Sequence, residues 1–141
     1  MADLQKCYAL VEDCIQTLGV DPSVCRGGNP GQWELKKGSA SVWIDVWQND
    51  DDWGYLMIMA PICNIPDENK EEFLTEILEI NHKLYGCAMT KYENTIYVKT
   101  VREVEGLSKD EAMAMFNRVG NYSDEYDDYL QQKYFGGGRA E

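Results

Sequence analysis

Apolar residues in this chain first recur at helical spacing. Leu4, Cys7, Tyr8, Val11, Cys14, Ile15 and Leu18 follow a three-to-four-residue period without a break. That period predicts an amphipathic helix of about four turns. Asp3 suits its N-cap, and Gly19 suits the residue just past its end. Asp21-Pro22 and the string Arg26-Gly27-Gly28-Asn29-Pro30-Gly31 hold too many breakers for a helix or strand interior. The period then switches from helical to alternating. Trp33 to Lys36 reads as a short strand. Ser41-Val42-Trp43-Ile44-Asp45-Val46-Trp47 alternates and is rich in β-branched and aromatic residues, which makes it a second strand. The polar stretch Gln48 to Asp52 turns the chain into a third strand from Trp53 to Ala60, with Pro61 and a strand end at Ile62-Cys63-Asn64. Strands joined by such short turns form an antiparallel meander.

Pro66 and Asp67 open a second helix. Phe73, Leu74, Ile77, Leu78, Asn81 and Leu84 share its apolar face, and Gly86 stops it. Ala88 to Tyr92 and Thr95 to Val101 make a hairpin around Glu93-Asn94. Ser108 and Glu111 have the spacing of a capping box, and Ala112, Met115, Phe116, Val119, Tyr122, Tyr126 and Leu130 carry the helical period on to about Gln132. The order is therefore α-β-β-β-α-β-β-α. It predicts an α+β domain over residues 1–135, with helices packed on a five-stranded antiparallel sheet. Residues 136–141, with Gly136-Gly137-Gly138, are expected to form a flexible tail.

The second and third strands are apolar on both faces. Val42, Ile44 and Val46 point one way, and Trp43, Asp45 and Trp47 the other. Tyr55, Met57 and Met59 alternate with Leu56, Ile58 and Ala60 in the same manner. An antiparallel sheet with one wet face does not read this way. Either helices cover both faces, or the second face meets a partner chain or a second copy. Trp, Tyr and Met are enriched at such interfaces. Trp43, Trp47, Tyr55, Met57 and Met59 are thus the candidate partner-binding residues.

Composition narrows the classes of function. A chain of 141 residues can bury a core without staples. A net charge of −12, from 25 acids against 13 bases, disfavours nucleic-acid backbones and anionic membranes. No run reaches the ~18 apolar residues of a membrane span, and the opening MADLQKCYALVEDC lacks a secretory n-region. The five cysteines, Cys7, Cys14, Cys25, Cys63 and Cys87, include no C-x-x-C pair. They read as reduced thiols of a cytoplasmic protein, mostly buried as small hydrophobes.

Candidate chemistry is sparse. His82 is the single histidine and has no Cys or carboxylate at ligand spacing. Asp50-Asp51-Asp52 lacks the alternating ligands and distal Glu of a calcium loop, so it reads as a polar turn. The 27–31 loop runs into a strand and lacks the Lys-Ser/Thr of a phosphate loop. Asp124 to Asp128 reads as the solvated side of the last helix. No cofactor, metal or catalytic group is expected, and the chain reads as a scaffold that binds.

The topology resembles the type III secretion chaperone-like fold, and Pro66 to Phe135 is similar to the YbjN family. The resemblance is carried by Ala60-Pro61, Ile65-Pro66, Leu78-Glu79-Ile80-Asn81, Gly86-Cys87-Ala88, Ile96-Tyr97-Val98, Leu107-Ser108 and the run Asp124-Glu125-Tyr126-Asp127-Asp128-Tyr129-Leu130. None of these motifs is catalytic. The resemblance implies a small, acidic, cytoplasmic homodimer that holds a partly unfolded polypeptide along an apolar surface of strand and helix. The expected function is that of a non-catalytic chaperone-like or adaptor protein, with backbone pairing at a strand edge adding to the apolar surface. The alternative is a regulator of the YbjN type that senses a small ligand in a pocket between the first helix and the sheet. The tryptophan-rich first part of the sheet departs from the family pattern.

Overall fold

The computed structural model describes residues 4–37 and 40–136. Helix α1 spans Leu4–Thr17, and a single 3-10 turn follows at Pro22–Val24. Strands β1 (Gln32–Lys37), β2 (Ala40–Gln48) and β3 (Gly54–Asn64) form the meander. Helix α2 (Lys70–Asn81), strands β4 (Ala88–Tyr92) and β5 (Thr95–Glu103) and helix α3 (Lys109–Tyr134) complete the chain. The sheet is five-stranded and antiparallel, in the order β1-β2-β3-β5-β4. The expected element order and fold class are those observed. The N-cap assigned to Asp3 and the tail beyond Gly136 lie outside the described residues.

All three helices feed one core. α1 packs on β2 and α3, and α3 crosses β3 and β5. Cys7, Val11, Cys14 and Ile15 of α1 meet Ile44, Val46, Leu56, Ile58 and Val98 of the sheet, and Ala112, Met115, Phe116 and Val119 of α3 close the layer. α2 joins through Phe73, whose ring meets Tyr134 of α3 edge-on at 4.9 Å. The capping box that starts α3 is present: Glu111 N–H donates to Ser108 Oγ at 3.1 Å and Ser108 N–H to Glu111 Oε1 at 3.0 Å. The five thiols are free. Burial, reinforced by Cys14, pushes Cys7 up to about 11. Burial, with Asp127 nearby, pushes Cys63 up to about 12.

Three local differences from the sequence expectation have clear causes. β3 runs on through Pro61 as one strand, because a register shift between Pro61 and Cys63 absorbs the missing donor. Trp53 belongs to the preceding turn, where its N–H and that of Asp51 donate to Asn49 Oδ1 at 3.0 and 3.1 Å. α2 begins at Lys70, after Asn69 in the left-handed region, instead of at Pro66. Ile65 and Pro66 are buried, and Ile65 N–H is spent on Asn94 O at 2.9 Å. The buried face of α2 is Phe73, Ile77 and Ile80. Leu78, expected on that face, stands 71% exposed.

Gly31 shows why the glycine-rich loop sits where it does. Its φ is +83°, and a Cβ there would lie 2.6 Å from Val46 O. The close approach lets Val46 N–H donate to Gly31 O at 2.8 Å and ties the connector to β2.

Candidate functional site: the bare face of the sheet

Strand alternation sends two different sets of side chains to the two faces. One set is the core. The other includes Trp43, Asp45 and Trp47 of β2, Tyr55, Met57 and Met59 of β3, and Tyr97, Lys99 and Val101 of β5, aligned by register, with Glu34 of β1 opposite Trp43, Glu103 opposite Tyr55 and Tyr92 of β4 at its rim. No described helix packs on this second face, since the helices share the opposite core. The five residues expected to bind a partner therefore do come together on one surface. Of the two alternatives left open by the sequence, helices on both faces is the one the structure does not adopt.

The face is not a row of independent side chains. Trp47 and Tyr55 stack with centroids 5.6 Å apart. Trp43 reaches across β3 to Tyr97, with centroids 5.9 Å apart. Met57 lies between these two aromatic pairs and is only 5% exposed although no helix covers it. It is a floor, not a contact point. Trp47 at 39% and Val101 at 46% exposure are the most open apolar groups of its β2, β3 and β5 members. Asp45 sits opposite Met57, midway between the two tryptophans. Burial pushes its carboxyl above the usual carboxylate range, and a hydrogen bond with Gln32 partly offsets this.

Both sheet edges are partly engaged within the chain. On β1, Gly27 N–H donates to Gln32 O at 2.7 Å and Glu34 N–H to Cys25 O at 2.8 Å, so the segment 25–27 imitates an added strand. On β4 the Asn81 side chain does the same. Met89 N–H donates to Asn81 Oδ1 at 2.6 Å, and Asn81 Nδ2 donates to Met89 O at 3.1 Å. Edges blunted in this way resist unwanted pairing. Lys36 of β1 and Lys91 of β4, two residues beyond these contacts, keep outward backbone groups, so both edges remain compatible with strand addition.

A second polar cluster locks the helices. The Glu76 carboxylate of α2 accepts from Tyr129, from Tyr134 at 2.5 Å and from Lys133 at 2.9 Å, all on α3. Burial pushes Glu76 up, but these three donors together hold it below the usual carboxylate range. Between α1 and β1, a cleft of about 490 Å³ is lined by Tyr8, Glu12, Arg26, Gly28 and Trp33. Its charges already satisfy each other: Arg26 donates to both Glu12 oxygens at 2.7 and 2.8 Å, and Trp33 Nε1 donates to the same carboxylate at 2.9 Å. That leaves the small-ligand alternative without an unpaired charged side chain in that cleft.

Sequence reasoning missed Tyr97, Lys99 and Val101. Their signal was the alternation with Ile96, Val98 and Thr100, which the lysine in the middle masks. It also treated Asn81 as part of an apolar helix face and not as a strand mimic. His82 is exposed at the C-cap of α2. Among the described residues, no three His, Cys, Asp or Glu side chains converge as a metal-holding group, and no helix is long and apolar enough to cross a membrane.

Residues 5–141 match the family model described as T3SS (YopN, CesT) and YbjN peptide-binding chaperone 1. The chain belongs to this family. Solved structures similar to it include a chain of the ExsC-ExsE complex, with a TM-score of 0.64 and 11% identity over 95% of this chain and 97% of that one. A chain of the HopA1-SchA chaperone-effector complex aligns with a TM-score of 0.63 and 13% identity over 90% and 98%. A chain of the complex between the Yersinia pestis type III secretion chaperone SycH and a fragment of YscM2 aligns with a TM-score of 0.60 and 11% identity over 84% and 97%. At such identities the likeness is one of fold. No curated protein matches the sequence.

Proposed function

We propose that this member of the peptide-binding chaperone family is a non-catalytic, cytoplasmic homodimer that holds a polypeptide segment against the bare face of its sheet. Residues 1–135 would form the chaperone domain, with a short tail beyond. The observation that carries the reading is the sidedness of the sheet: three helices on one face, and Trp43, Trp47, Tyr55 and Met59 over Met57 on the other. A contiguous apolar face of this kind marks an interaction surface on a monomer. Family membership supports a peptide as the occupant, and the similar solved structures are themselves complexes, one of them a chaperone with its effector. Self-association is assigned to a different surface, around α2 and the turn that follows it, where Leu78 and Tyr85 are exposed.

The test is the double substitution Trp43→Ser with Trp47→Ser. Neither residue lies under a helix, so the variant should keep its circular dichroism, melting below wild type only by the loss of two ring pairs and of the cover over Met57. It should lose binding across an array of immobilised amphipathic peptides, because truncating an aromatic anchor typically costs ~2 kcal/mol or more per residue. A folded double variant that keeps the array signal would rule out this face.

A further inference from the structure

We propose that the segment held on the bare face is an amphipathic helix carrying a lysine or arginine between two apolar anchors, with the cation placed against Asp45. This rests on the reading above and names its ligand chemistry. The partly occupied edges come first. With β1 paired to the segment 25–27 and β4 clipped at Met89 by Asn81, a partner seated on Trp43, Asp45 and Trp47 of the inner strand β2 lies across the face and does not extend the ladder. A chain lying across a face receives no backbone hydrogen bonds from the sheet. It has to satisfy its own N–H and C=O groups, and a helix does so internally.

The spacing agrees. Trp43, Asp45 and Trp47 are alternate residues of one strand, roughly 6.6 Å apart in turn at ~3.3 Å per residue. Residues i, i+4 and i+8 of a helix rise about 6.0 Å per step. A helix parallel to β2 therefore offers one residue to each of the three. The outer two meet the aromatic pairs Trp43–Tyr97 and Trp47–Tyr55, which are apolar plates. The middle one meets the Asp45 carboxyl.

Among the described residues that carboxyl has no ion-pair partner. Gln32 faces it across β1 and β2, and the ion pairs between described residues lie elsewhere. Lys99, the nearest base by register, is two strands away on β5 and one pair along, opposite Met59. A cation delivered from the partner would supply the missing pair. It would also rest beside two indole rings, which attract cations through their faces. A neutral polar residue would gain neither, and an acid would meet a like charge in a poorly hydrated place.

The test uses three fluorescein-labelled 18-residue helical peptides, identical but for Lys, Gln or Glu at the centre of a leucine face, read by anisotropy. On wild type, the Lys peptide should bind about ten-fold tighter than the Gln peptide, and the Glu peptide weakest. Asp45→Asn should bring the Lys and Gln peptides within about two-fold of each other. A proline at the centre of the Lys peptide should abolish binding. Equal wild-type affinity for Lys and Gln, lost in the Trp43→Ser/Trp47→Ser variant, overturns the cation inference and leaves the face reading standing. Undiminished binding of the proline peptide overturns the helical form. If no peptide binds wild type, or the double tryptophan variant binds as well as wild type, the face reading fails and this inference with it. The wild-type comparison decides even where Asp45→Asn does not fold.

Discussion

Asn81→Ala should open the β4 edge. The Asn81 amide makes two hydrogen bonds to one residue, Met89, at 2.6 and 3.1 Å. Met89 is buried, so its N–H and C=O have poor access to replacement water. Each net hydrogen bond contributes roughly 1 kcal/mol, and a buried group left unpaired costs about 1–3 kcal/mol. The pair together should be worth about 2–3 kcal/mol. For a chain of this size each kcal/mol moves the melting temperature by roughly 4 °C, which gives a fall of roughly 8–12 °C. Asn81→Asp should be no better than alanine. It keeps an acceptor for Met89 N–H but sets a carboxylate against Met89 O. The assays are calorimetry and amide hydrogen exchange read at Met89, whose protection should drop by more than that of the β3 amides. An alanine variant melting within about 2 °C of wild type with the Met89 amide still protected would refute the idea that this side chain stands in for a strand.

Two further outcomes are expected. The folded-state pKa of Glu76 lies below its ordinary value, so the stabilisation is fully present above the unfolded value of about 4.3 and is lost as pH falls through the folded one. The urea midpoint of wild type should therefore fall between pH 5 and pH 3 more steeply than that of Glu76→Gln, which should be less stable at pH 7 by about 2 kcal/mol, the scale of a hydrogen bond to a charged acceptor; equal slopes would contradict this. Wild type should sediment as a dimer at micromolar concentration, and Leu78→Glu should sediment as a monomer that still binds the Lys peptide; a wild-type monomer would remove the self-association proposal.

Most of the fold was legible because local signals agreed with one another. The α1 period, the Gly19 stop, the Asn49 turn and the Ser108–Glu111 box each depend on residues a few positions apart. What escaped was set at longer range. The start of α2 moved because Ile65 is tied to Asn94, 29 positions on in the sequence. Leu78 lost its place in the core because the helix is turned to face β4 and α3 through Phe73, Ile77 and Ile80. Pro61 was survivable inside β3 because a bulge could form there, and only the pairing with β5 reveals it.

The binding face was half legible for a related reason. Its β2 and β3 members announce themselves by being too apolar for a wet face, while its β5 members are disguised by Lys99. Sequence alternation could say that the second face was apolar but not what lay over it. The structure answers with a partial cover made by the face itself. Trp43 leans on Tyr97 and Trp47 on Tyr55, and Met57 is sealed beneath them. Rings paired edge to edge or face to face already bury part of their own surface, which lowers the cost of exposing them. The outer ring faces and Val101 stay available. An apolar surface that shields itself when empty and still offers flat aromatic plates when a segment arrives is what a protein needs if it must be soluble without its partner. The Asp45 carboxyl at the centre would then be the element of selection: already partly desolvated in the empty face, it penalises any occupant that covers it without bringing a cation.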